Sequence, residues 1–144
     1  MLPPVVILVV LARRKEIGVH NFILIVDDNP LIRKAIRLDF EGRNGIEICG
    51  EAVDGRDAIE KARQLRPDLI ILDLSMPVMN GLQVATVLHR EMPSVPLILF
   101  TMHASFVASA EAKSAGISAI ISKDRGADSL VSQALILLGL PSEL

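Results

Sequence analysis

The sequence contains no Trp and no Tyr, and its aromatic residues amount to 3% of 144 positions. Stacking platforms for single-stranded nucleic acid need several rings, so that class of function is excluded. A single cysteine, Cys49, rules out an internal disulfide and a cysteine-rich metal site, and it suits a reducing compartment. Charge of one sign is also missing. Fifteen basic and 17 acidic residues give a net charge of -2, so no global basic field draws DNA or RNA. A membrane-spanning run is absent too. The apolar stretch 2–12 would make a helix of roughly 16 Å, about half of a bilayer core. Its positive charges, Arg13, Arg14 and Lys15, follow the apolar stretch rather than precede it, which is the wrong order for a signal peptide. Residues 1–20 therefore read as a disordered or peripheral extension, or as a segment that docks at a membrane surface or on a partner. Residues 21–144 carry 12 basic and 16 acidic side chains, so the domain proper is acidic, at -4.

What is present is ample apolar material, 51% of residues, in a regular alternation. Short apolar runs at 22–26, 69–72 and 97–100 read as buried strands, and 46–53 alternates as a strand at a sheet edge. A last short strand falls at 119–121. Helical spacing follows each of them, over 30–40, 56–65, 82–91, 105–115 and 126–138, with Gly and Pro as punctuation. Five strands alternating with five helices, several strands apolar on both faces, predict a doubly wound α/β domain with a parallel sheet covered on both sides.

In such sheets ligands bind beyond the carboxyl ends of the strands, where the strand order reverses. Asp27 and Asp28 follow the first strand, Asp73 the third, Thr101 the fourth and Lys123 the fifth. With strand order 2-1-3-4-5 the first and third strands are neighbours, and the three carboxylates converge in one crevice. Two unit charges about 4 Å apart repel by roughly 4 kcal/mol at an effective dielectric of 20, so the crevice calls for a cation or a strongly raised pKa. Mg²⁺ takes oxygen ligands of this kind. A carboxylate can also accept a phosphoryl group, with a metal, an ammonium and a hydroxyl neutralising its oxygens.

The segments VDDNP at 26–30, LDLSMPVMNG at 72–81, LFTMH at 99–103 and SK at 122–123 resemble the receiver domain of bacterial two-component response regulators over about residues 21–140. The Thr-Met-His run and the Lys-Asp pair at 123–124 are most similar to receivers that precede a LuxR-type helix-turn-helix output domain. The resemblance implies a flavodoxin-like fold in a cytoplasmic signalling protein that is not an enzyme. It implies Asp73 as the acceptor that becomes an aspartyl phosphate. Asp28 would bind Mg²⁺ directly, Asp27 through water, and Ser75 through its backbone carbonyl. Lys123 would pair with the phosphoryl oxygens, and Thr101 would turn toward them. Ser75 and His103 occupy positions that tune phosphoryl lifetime in the family. A histidine kinase or phosphotransfer protein is the implied partner.

Two features depart from the family. Ile120 stands where a Tyr or Phe commonly couples to the threonine, and the output domain expected after the receiver is not in this sequence. The receiver half of a DNA-binding regulator and a non-phosphorylated interaction module are the alternatives; this chain by itself is expected to bind no nucleic acid. The last helix, with Leu130, Val131, Ala134, Leu135, Ile136, Leu137, Leu138 and Leu140, has little polar face, which predicts a homodimer or partner contact through the last two helices.

Overall fold

The computed structural model describes residues 20–141. The extension expected over 1–20 falls, apart from His20, outside the described residues. Strands β1 (Asn21–Val26), β2 (Ile46–Ala52), β3 (Leu69–Leu72), β4 (Leu97–Thr101) and β5 (Ala119–Ser122) form one parallel sheet in the order β2-β1-β3-β4-β5. Helices α1 (Pro30–Phe40), α2 (Gly55–Leu65), α3 (Gly81–Glu91), α4 (Ser109–Ser114) and α5 (Ala127–Leu138) connect and follow them. The doubly wound sheet of the flavodoxin-like class is thus realised. Among the described residues, no helix is long and apolar enough to cross a membrane.

Side chains alternate across a strand, so each strand feeds two cores. Ile23, Ile25, Leu69, Ile71, Ile98 and Phe100 pack on one face with Ile36 and Phe40 of α1 and Leu130, Val131, Ala134 and Leu135 of α5. Leu24, Val26, Ile70, Leu72, Leu97 and Leu99 pack on the other with Ala58 and Ala62 of α2 and Val84, Ala85 and Leu88 of α3. Burial on both faces explains why β1, β3 and β4 are apolar without alternation. Each fully buried Leu or Ile contributes about 1.5–3 kcal/mol relative to exposure. β2 lies at the edge, as its alternation predicts, and slips register between Ile23 and Leu24, where Cys49 is the extra residue.

One expectation needs correction. The single helix expected over 105–115 is broken. A one-turn 3₁₀ segment, Ala104–Phe106, is followed by extended Val107 and then by the short α4. The run is mostly Ala and Ser, so few apolar side chains anchor a helix there; within α4 only Ala112 is buried. α5 is covered only in part by the core it shares with α1. Leu130, Val131, Ala134 and Leu135 are buried, Leu137, Leu138 and Leu140 pack partly against the same core, and Ile136 is the large side chain left exposed.

Candidate functional site

The backbone pins the acidic residues side by side. The Asp27 N–H donates to the Ala52 carbonyl at 3.1 Å, and the Asp73 N–H donates to the Val26 carbonyl at 2.9 Å. Both side chains are buried, while Asp28 is exposed at the mouth. One carboxylate oxygen from each of Asp27, Asp28 and Asp73 lies within 4.8 Å of the others. The sequence pattern predicts this convergence, because β1 and β3 are neighbours.

Lys123 closes the crevice from the far side of the sheet. It directly follows β5, whose Ser122 pairs with Thr101 of β4. Its Nζ donates to Asp27 Oδ2 at 2.7 Å and stands 3.4 Å from Asp73 Oδ1, with little of the side chain exposed. In this state the ammonium is therefore held chiefly by Asp27. Burial pushes the Asp73 carboxyl above its ordinary range, and the charge of Asp27 adds to the rise. Lys123 and a hydrogen bond from the Ser75 backbone oppose it without cancelling it. A carboxylate surrounded by like charge and little water is high in energy until a cation arrives.

The loop after Asp73 is tightly folded. The Met79 N–H donates to the Pro77 carbonyl at 2.8 Å, a three-residue turn that places Val78 at φ 72°, a strained value for a β-branched residue. Gly81 donates to the Leu74 carbonyl at 2.8 Å, and a Cβ on it would sit 2.3 Å from the Asp73 carbonyl oxygen. Only glycine permits that approach. Ser75 is exposed on this loop. Thr101 is fully buried, and its Oγ1 accepts from the His103 N–H at 3.1 Å.

Two residues of the site were not anticipated. Asn29 donates its N–H to Asp27 Oδ1 at 2.9 Å and caps α1 by accepting from the Leu31 N–H at 2.9 Å. An Asn before Pro at a helix start is a legible signal for that cap. Arg33 donates to the Asp27 carbonyl at 2.7 Å and to Glu51 Oε1 at 2.9 Å. No sequence signal marks it, because the contact depends on how α1 lies over the sheet.

Residues 23–135 match the family model described as the response regulator receiver domain. The chain is similar to the transcriptional regulatory protein LnrK of Bacillus subtilis, 31% identical over 126 residues, which are 85% of this chain and 57% of LnrK. The chain thus spans little more than half the length of that relative. Among solved structures it is similar to the response regulator domain of Thermotoga maritima CheB, with a TM-score of 0.76, 25% identity, and 85% of this chain and 99% of that one covered. A LuxR-family two-component response regulator from Aurantimonas superposes with a TM-score of 0.75 at 28% identity, covering 86% of this chain and 89% of that one.

Proposed function

The chain belongs to the response regulator receiver family, and from that premise we propose that Asp73 is its phospho-acceptor in a two-component phosphorelay. The observation that carries this reading is the buried Asp73 carboxylate, flanked by Asp27 and Asp28 and by a single lysine. Three carboxylates against one ammonium leave two formal negative charges on an oxygen-only donor set, which fits a hard divalent cation such as Mg²⁺. Asp28 and Asp73 would hold it directly, Asp27 through water, and Ser75 through its backbone carbonyl. When bound, the ion supplies positive charge to the phosphoryl oxygens.

A histidine kinase or phosphotransfer protein presents a phosphohistidine. An Asp73 carboxylate oxygen attacks phosphorus, an O–P bond forms as the N–P bond breaks, and the imidazole nitrogen leaves with its electron pair. Lys123 exchanges part of its contact with Asp27 for a phosphoryl oxygen. Thr101 turns its hydroxyl from His103 toward the new group. The acceptor is consumed once per cycle, so the module acts as a switch rather than as a turnover enzyme. Its working unit is residues 21–144, in the cytoplasm, with Ile136 and its neighbours on α4 and α5 as the contact in a homodimer. The chain itself touches no nucleic acid. The similarity to a LuxR-family regulator favours a second reading, in which this receiver governs a DNA-binding output domain.

The test is incubation with a small-molecule phosphodonor and Mg²⁺, read by intact mass. Wild type gains one phosphate and Asp73→Asn gains none. A folded chain that binds Mg²⁺ yet takes up no phosphate would overturn the reading, as would uptake by Asp73→Asn.

A further inference from the structure

A chain of hydrogen bonds leads from Thr101 to a side chain that the proposed function leaves unused. Thr101 Oγ1 accepts from the His103 N–H at 3.1 Å, and the His103 carbonyl accepts from the Phe106 N–H at 3.0 Å. Phe106 is 81% exposed, more than any other large apolar side chain among the described residues. It sits on the Ala104–Phe106 turn, which has no side-chain cap, and the backbone leaves helical geometry at the next residue, Val107. Beside this turn lies a groove of about 1040 Å³. Its walls include Ala104, Ser105 and Val107 from this segment and Ile120 and Ile121 from the edge strand β5. Phe106 is not among the walls. Its neighbours on both sides line the groove, yet its ring stays outside it, largely in water and tilted against the His103 ring at 6.0 Å between centroids.

We infer that Phe106 is the moving part of this switch and that its ring tucks into the groove over Ile120 when Asp73 carries a phosphoryl group. The inference rests on the phosphoryl reading given above. When the Thr101 hydroxyl turns toward the phosphoryl oxygens, the His103 N–H loses its acceptor. The turn hangs on that residue through the next hydrogen bond, so it is released. A single uncapped turn is cheap to rearrange, and the apolar area removed from water favours the tucked ring. Ile120 is compact and half-buried, and the groove beside it has room for the ring. The surface offered to a partner then changes from a projecting phenyl beside an open groove to a filled one.

The experiment is an isoleucine-methyl and amide NMR comparison of the full chain, with and without Mg²⁺ and beryllofluoride. Beryllofluoride stands in for the phosphoryl group. In wild type the Ile120 methyl resonance is expected to move upfield under the ring current of Phe106. In Phe106→Leu that displacement is lost, while amides around Asp73 respond as in wild type. Thr101→Val, which lacks the accepting oxygen, is expected to displace the Ile120 methyl partway with no beryllofluoride present. If the Asp73 amides respond but the Ile120 methyl stays put, or moves equally in Phe106→Leu, the inference is overturned. An Ile120 methyl unmoved in Thr101→Val would overturn the relay. Silence at the Asp73 amides in both proteins would sink the phosphoryl reading itself, and this inference with it.

Discussion

On the β1–β3 side of the sheet, helices α1, α2 and α3 each start on a side-chain cap, supplied by Asn29, Asp54 and Asn80. On the β4–β5 side, the Ala104–Phe106 turn, α4 and α5 start on none. The first region also holds its acids with backbone bonds, a glycine-only approach at Gly81 and an ion pair. The second has two short helical pieces ahead of α5, an exposed phenyl and an open groove. A cap is worth roughly 1 kcal/mol, so the difference amounts to several kcal/mol of local stability. Stiffness is concentrated where carboxylates must be held against repulsion. Ease of rearrangement is concentrated where, on the proposed switch, a change at Asp73 would become a change of surface.

The contrast can be broken or sharpened by substitution. Gly81→Ala should be the most damaging, because its Cβ meets the Asp73 backbone rather than a flexible side chain. A loss of about 2–4 kcal/mol in urea unfolding, with phosphate uptake sharply slowed, is expected. A near-neutral Gly81→Ala would mean that the loop after Asp73 is as yielding as the opposite side. Asn80→Ala removes a reciprocal capping box with Gln83 and should cost about 1–2 kcal/mol.

Asp73→Asn should stabilise the metal-free protein by roughly 1 kcal/mol, because it removes a buried carboxylate beside Asp27. The sign follows from linkage. A carboxyl raised in the folded state destabilises at neutral pH, and the penalty fades as pH falls through its folded value. The advantage of Asp73→Asn should therefore shrink in acid. Ala108→Ser would place a Ser three residues before Glu111 at the start of α4, completing a capping box where none exists. A gain of about 0.5–1 kcal/mol is expected, measured in the same unfolding series. No gain would show that the lack of a cap is not what keeps this side loose.

Glu51 has the smallest effect and the opposite pH dependence. Burial pushes its carboxyl up, but hydrogen bonds and charge from Arg37 and Arg33 outweigh that and hold it below the usual range. Its contribution is present above the unfolded value and lost as pH falls through the folded one. The side chain is partly exposed, so Glu51→Gln should cost only about 0.3–1 kcal/mol at neutral pH, closing to nothing in acid. A difference that persists in acid would mean that the ion pair is not its source.

Much of this is legible in the sequence. Asp27, Asp28, Asp73 and Lys123 each follow a strand directly, and the apolar runs that mark those strands are unambiguous. The stretch 105–115 was not legible in the same way. Ala and Ser are compatible with helix, and only the packing of Val107 against the core decides that the helix breaks there. The all-round apolarity of α5 is accounted for in part by the core it shares with α1. Its leucines wrap around the core as the chain leaves the helix, and Gly139 turns it at φ 70° so that Leu140 can pack inward.

The sequence by itself determined the strand count, the parallel sheet and the five polar residues at the ends of four strands. Period-two and unbroken apolar runs state directly which segments must be buried, and the residue after a buried strand must face the crevice. Tertiary structure alone decided that Lys123 rests on Asp27, that Arg33 reaches the Asp27 carbonyl and that Phe106 projects beside an empty groove. Those contacts join residues distant in the chain or depend on how a short turn is seated, and no local pattern encodes either.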